Sequence, residues 1–146
     1  ELQSLDWRQG MLIYEKIRRL APEDANARTC LVDLHFRIGQ AQAALAEINN
    51  FVSYLMERRS FNQAIAFLEE IVKAHPKQPS IIRQLAEVNQ QAGNIELAVS
   101  QYDQAGRGYL EAGNRVAAIE TVITILSLNP PNKREYALLL ARLKGE

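Results

Sequence analysis

Chemistry first needs groups that can donate protons, hold metals or attack carbonyls, and this chain has few. His35 and His75 are its only histidines, and they lie 40 residues apart with no cysteine or helix-spaced acid beside either. Zinc-type sites need four clustered ligands at short spacings, so no metal is expected here. The acidic pairs Glu69-Glu70 and Glu23-Asp24 are adjacent in sequence. On a helix, neighbours point about 100° apart, so Glu69 and Glu70 do not converge on one substrate. Glu69 is placed instead to pair with Lys73 four residues on. Glu23-Asp24 reads as the start of a helix, where negative charge suits the dipole. Gly106-Arg107-Gly108 lacks the preceding strand and the Gly-Lys-Ser/Thr ending of a phosphate-binding loop. Its place in a helical stripe suits close packing, with some kinking expected. Cys30 is the single cysteine, so no internal disulfide can form. It sits in the apolar-rich run Cys30-Leu31-Val32-Asp33-Leu34 and reads as a small buried hydrophobe. No nucleophile–base arrangement follows from spacing, so neither catalytic residues nor a cofactor are expected.

The elements that would position any functional residue read as helices. From Phe61 to His75, Ala64, Ile65, Leu68, Ile71 and Val72 recur at three- and four-residue steps and share one stripe. Sustained period-two alternation is missing, which argues against strands. The expected helices run near 5–20, 25–38, 41–57, 61–75, 79–92, 95–112, 115–128 and 133–143. Gly39, Gly93 and Gly113 can take the left-handed conformation that ends a helix. Asn94, Asn114 and Ser60 are placed to cap the helices that follow. Pro22, Pro76 and the Pro130-Pro131 pair stop helices from running on. Connections of a few residues force neighbouring helices antiparallel.

Composition agrees. The 146 residues are 47% hydrophobic and 23% charged, enough to bury a core. Lys plus Arg and Asp plus Glu both number 17, for a net charge of zero. A nucleic-acid partner would call for surplus positive charge, so none is expected. The apolar runs fall short of a membrane span, so no membrane partner is expected either. A cytoplasmic protein is the expectation. The chain does not begin with Met, which suggests a fragment of a longer protein.

A longer rhythm underlies the helices. Pro22, Pro76 and Pro130 are spaced evenly at 54 residues. The same offset pairs Ile17 with Ile71, Leu31 with Leu85, Gly39 with Gly93, Ala44 with Ala98, and Ala64 with Ala118. Such pairing points to an internal repeat.

These residues resemble the tetratricopeptide repeat. Its second helix starts after Gly-Asn or Gly-Asp, carries an early Ala and ends in Pro. Gly113-Asn114-Arg115-Val116-Ala117-Ala118 followed by Asn129-Pro130 fits that pattern, and Tyr102, Ala105, Gly106 and Tyr109 fit the preceding helix. Residues 99–132 therefore look like the best-formed unit. Gly93-Asn94 with Ala98, and Gly39 with Ala44, match in part, while Arg59 stands where Gly is expected before Phe61. The helix ending at Pro22 looks like a second helix. The family's two-helix unit spans 34 residues, whereas the period here is 54 and three helices. The helix at 95–112 would then serve two pairs.

The resemblance implies an all-α protein, an α-solenoid of antiparallel helix pairs in a tetratricopeptide-like superhelix of about eight helices, forming a single domain over residues 1–146. It implies a non-catalytic protein–protein interaction scaffold that binds a peptide or partner protein. First helices of each pair would line a concave surface, which nominates Asn26, Thr29, Asp33, Arg37, Asn49, Ser53, Arg83, Glu87, Gln90, Asp103 and Arg107. The family's subclass that grips chaperone C-termini uses Lys, Asn and Arg, and Asp33, Glu87 and Asp103 stand against that use. The alternative is a self-assembly or spacer module, a homo-oligomer stacked through end helices such as that carrying Leu138, Leu139, Leu140 and Leu143.

Overall fold

The computed structural model describes residues 6–145. Among the described residues the chain forms eight α-helices and no strand. They are α1 (Asp6–Leu20), α2 (Ala25–Arg37), α3 (Ala41–Glu57), α4 (Phe61–Ala74), α5 (Pro79–Gln91), α6 (Ile95–Glu111), α7 (Arg115–Ser127) and α8 (Lys133–Gly145). Most boundaries fall within a residue of those expected. The last helix runs to Gly145 instead of 143, and the expected start at residue 5 lies outside the described residues.

The turns show why the helices stop where they do. Gly39, Gly93 and Gly113 have φ of 79°, 91° and 79°. After each, the next amide reaches back to a carbonyl in the last turn of the helix: Gln40 N donates to His35 O, Asn94 N to Asn89 O and Asn114 N to Tyr109 O, each at 2.8 Å. This is the hydrogen-bond pattern that satisfies the last carbonyls of a helix. Arg59 adopts the same conformation at φ 56°, and Ser60 N closes the turn on Leu55 O at 2.9 Å. An arginine therefore holds a position that glycine holds elsewhere, at a steric cost.

Capping is less uniform than expected. The Asp24 and Asn114 side chains accept from the amides of Ala27 and Ala117, both at 3.1 Å. Asn94 makes no such cap. Its side-chain amide donates instead to Asn89 Oδ1 at 3.0 Å. Asn89 is fully buried, and its own amide donates to Gln101 Oε1 at 2.8 Å. A buried carboxamide costs free energy unless its partners are present, so satisfying Asn89 takes priority over capping α6.

The chain divides into two compact units, residues 1–67 and 68–146. In the first, α1 packs on α2 and α2 on α3. Met11, Leu31 and Leu34 form one cluster, with Trp7, Tyr14 and Ile38 packed against it. Phe51 of α3 meets Phe67 edge-on at 4.8 Å. Across this apolar interior runs a charged network. Arg28 is 2% exposed and Glu47 5%. Arg28 Nη1 donates to Glu47 Oε2 at 3.0 Å and to Asn50 Oδ1 at 2.7 Å, and its Nη2 donates to Pro22 O at 3.1 Å. Arg18 donates to the other Glu47 oxygen. The Arg28 guanidinium also lies 4.8 Å above the Phe51 ring. The network thus ties three helices and the Pro22 turn together.

In the second unit α5 packs on α6, α6 on α7 and α7 on α8. Ile82, Ala105, Tyr109 and Ala118 form one cluster, and Ala86, Ala98, Tyr102 and Ile125 another. Both clusters draw on α6, so that helix serves a partner on either side, as its sequence suggested. The early alanines Ala44, Ala64, Ala98 and Ala118 are all fully buried. Small side chains there let helices cross closely. Within α6, a Cβ on Gly108 would stand 3.0 Å from the Pro79 ring, whereas one on Gly106 would meet Thr121 at an ordinary 3.7 Å. Only Gly108 is demanded by close approach, and α6 is continuous through both glycines.

Candidate partner-binding surface

The nominated residues fall in both units. In the first, Asn26, Thr29, Asp33 and Arg37 lie along one stripe of α2, with Asn26 and Arg37 exposed and Thr29 and Asp33 half-buried. Three- and four-residue spacing places them on a common face. Asn49 and Ser53 are exposed on α3.

In the second unit the nominated residues form two clusters. The first is on α5, where Arg83 Nε stands 4.0 Å from Glu87 Oε2, an ion-pair distance beyond hydrogen-bond reach. Gln90 Oε1 accepts from the Tyr102 hydroxyl at 2.7 Å, and the Arg83 guanidinium lies 5.7 Å from the Tyr109 ring centre. The α5 stripe is therefore backed by two nearly buried tyrosines of α6. Burial pushes the Tyr102 hydroxyl up to about 12, helped by the Glu87 charge and opposed by Arg83. Burial likewise raises Tyr109.

The second cluster joins α6 to α8. Arg107 Nε donates to Asp103 Oδ2 at 2.7 Å, and the Tyr136 hydroxyl donates to Asp103 Oδ1 at 3.0 Å. Burial raises Tyr136, with the Asp103 hydrogen bond and charge adding to it. The hydrogen bond to Asp103 also raises the exposed Arg107 guanidinium. Beneath this Asp103 clasp lies a cavity of about 240 Å³, with Val122, Ile125 and Leu139 among its apolar walls.

Sequence reasoning did not foresee Tyr136 in this cluster, and it missed Arg28 and Glu47 altogether. A signal existed for the latter two. Arg28 precedes Leu31 and Val32 by three and four residues, and Glu47 lies between Ala44 and Phe51 in apolar phase. A charge in the phase of a buried stripe must find a buried partner. Cys30 is half-buried instead of fully interior. It forms a hydrogen bond with Tyr14 that raises the tyrosine. Among the described residues, no group of three or more His, Cys, Asp or Glu side chains could hold a metal ion, and no helix is long and apolar enough to cross a membrane.

These features define the class. Antiparallel helix hairpins, closed by left-handed turns and crossing over buried alanines, make this an all-α protein of stacked helical pairs. No family model matches the chain, and no curated protein matches it. Solved structures do match. One is that of MamA, at 16% identity over 84% of this chain and 88% of the other, with a TM-score of 0.38. A second is the C-terminal part of a TPR repeat-containing protein from Cytophaga hutchinsonii, at 14% identity over 94% of this chain and 65% of the other, with a TM-score of 0.34. A thermophilic TPR protein from Thermus thermophilus matches at 16% identity over 96% of this chain and 91% of the other, with a TM-score of 0.35.

Proposed function

We propose that this protein is a non-catalytic interaction scaffold that binds a peptide or partner protein on its helical faces. The observation that carries this reading is the α5 stripe of Arg83, Glu87 and Gln90, backed by Tyr102 and Tyr109. A polar face set on rigid, buried aromatic residues is preorganised, so little ordering cost opposes binding. The polar stripe of α2 is the corresponding face of the first unit. Mixed charge on both faces favours selective recognition over tight, indiscriminate adhesion. In this reading residues 99–132 form one repeat within a longer array. The three-helix period is part of it, since α2, α5 and α8 begin at residues 25, 79 and 133 and each has 13 residues.

The test is affinity capture from the source organism's lysate, read by mass spectrometry, with wild-type bait beside an Arg37→Glu/Arg83→Glu bait. Arg107 is left in place so that the α6–α8 cluster is unchanged. Partners retained by wild type and lost by the variant support the scaffold. No capture by either bait overturns it, and identical captures from both exclude the α2 and α5 stripes as the binding face. A self-assembly role is the second reading, favoured by the exposure of Leu138 at 60% on α8 and Leu20 at 77% on α1.

A further inference from the structure

A second pocket of about 470 Å³, between α6 and α8, adjoins the cavity beneath the Asp103 clasp. The two share Asp103, Arg107, Tyr136 and Leu139 in their walls and together make up the α6–α8 groove. Its halves differ in chemistry. The smaller part, about 240 Å³, is walled largely by apolar side chains. That is below the ~300–1,000 Å³ typical of small-molecule pockets, and it suits a single side chain. The larger part is lined by Glu96 and Glu135, both exposed, together with the clasp. Arg107 is the cation on that lining, and Asp103 already answers its charge at 2.7 Å. Two carboxylates remain in excess at one end of an apolar slot.

We propose that the α6–α8 groove binds an extended peptide segment that seats one bulky apolar side chain beneath the Asp103–Tyr136 clasp and sets Lys or Arg residues beside Glu96 and Glu135. This deepens the scaffold reading and depends on it. The apolar anchor supplies affinity by leaving water. The acidic end selects charge and rejects acidic sequences, since like charges in a groove are repulsive. Arg107 and Tyr136 hold Asp103 between them, so the clasp itself is not a third free carboxylate.

The test uses the full chain and fluorescein-labelled ten-residue peptides on a Gly/Ser background. Each carries one Phe followed by Lys-Lys, Ser-Ser or Glu-Glu, and a fourth replaces Phe by Ser beside Lys-Lys. Anisotropy titrations at low and high salt give the affinities. The Phe/Lys peptide is expected to bind about tenfold tighter than the Phe/Ser peptide, with the gap closing at high salt. Losing Phe should remove binding. Glu96→Lys/Glu135→Lys alters only exposed side chains and is expected to reverse the preference toward Glu-Glu. Leu139→Ser should weaken every Phe peptide, with circular dichroism showing the helices retained.

Equal affinity for the three charge types, preference of wild type for Glu-Glu, or a Glu96→Lys/Glu135→Lys chain that binds like wild type overturns the proposal. The last result, with capture partners still lost on Arg37→Glu/Arg83→Glu, leaves the scaffold standing and moves binding to another face. A dimer in light scattering that Leu139→Ser disperses assigns the groove to a second copy, which also overturns it. Failure of every peptide removes this groove as a peptide site, and the capture experiment then decides the scaffold separately.

Discussion

For single residues, backbone conformation and burial make separable predictions. Gly113 has φ 79° with nothing within 4 Å of an added Cβ, so Gly113→Ala tests conformation alone. A loss of about 1 kcal/mol is expected in urea denaturation. Arg59 has the same conformation without glycine's freedom. Arg59→Gly is expected to gain stability, by less than about 1 kcal/mol, because glycine's greater unfolded entropy offsets part of the relief. Loss of the Arg59–Phe61 ring contact at 5.1 Å reduces the gain further. Tyr102 makes a prediction about pH. Its hydroxyl is raised from 10.0 to about 12 in the folded chain, chiefly by burial. Below pH 10 both folded and unfolded states keep the proton, and Tyr102 contributes no pH dependence. Between 10 and about 12 the unfolded state releases it first, so stability falls as pH rises. Thermal melts across that window should show a steeper decline for wild type than for Tyr102→Phe.

Helix crossings and buried charge are properties of whole elements. Ala118 of α7 is fully buried against Ile82, Ala105 and Tyr109, which belong to α5 and α6. Ala118→Leu forces extra volume into that crossing, and a loss of about 1–3 kcal/mol is expected. An unchanged melting temperature would show that the helices are not closely apposed there. In the first unit, Arg28→Met leaves Glu47 with Arg18 as its remaining partner. Removing one member of a buried pair is expected to cost about 3–5 kcal/mol. The Arg28→Met/Glu47→Leu double variant should lose less than the sum of its two single variants, because no buried charge is left facing an empty place. Additive losses in a denaturation cycle would show that the two side chains act independently. Among these elements the sequence was highly legible. Glycines, prolines and the three- and four-residue apolar steps located every helix, since turn conformation and amphipathic phase are local properties. Asn94 departs from its expected role, because whether it caps α6 depends on Asn89, which α5 carries into the interior.

For the molecule as a whole, zero net charge and exposed Leu12, Leu20 and Leu138 are the features that bear on self-association. Light scattering over a hundredfold range of concentration separates the two functional readings. A constant monomer mass is expected for a scaffold. A mass that climbs with concentration and falls with Leu138→Lys would favour self-assembly. Neutral chains gain little from mutual repulsion, so higher salt alone should not disperse such an assembly.

The helices, their order, the antiparallel pairing and the alanines at the crossings can all be read without coordinates. Each follows from chemistry within about twenty residues: a left-handed glycine, a missing proline amide, a stripe repeating every 3.6 residues. The family resemblance also nominated Asp103 and Arg107. The long-range partners belong to the folded arrangement. Tyr136 reaches Asp103 across 33 residues, Arg115 donates to Leu143 O across 28, and Arg18 finds Glu47 across 29. No local pattern encodes such meetings, because they depend on how helix faces are turned toward one another once the apolar stripes are buried. Two carboxylates beside an apolar slot become visible only when α6 and α8 lie next to each other.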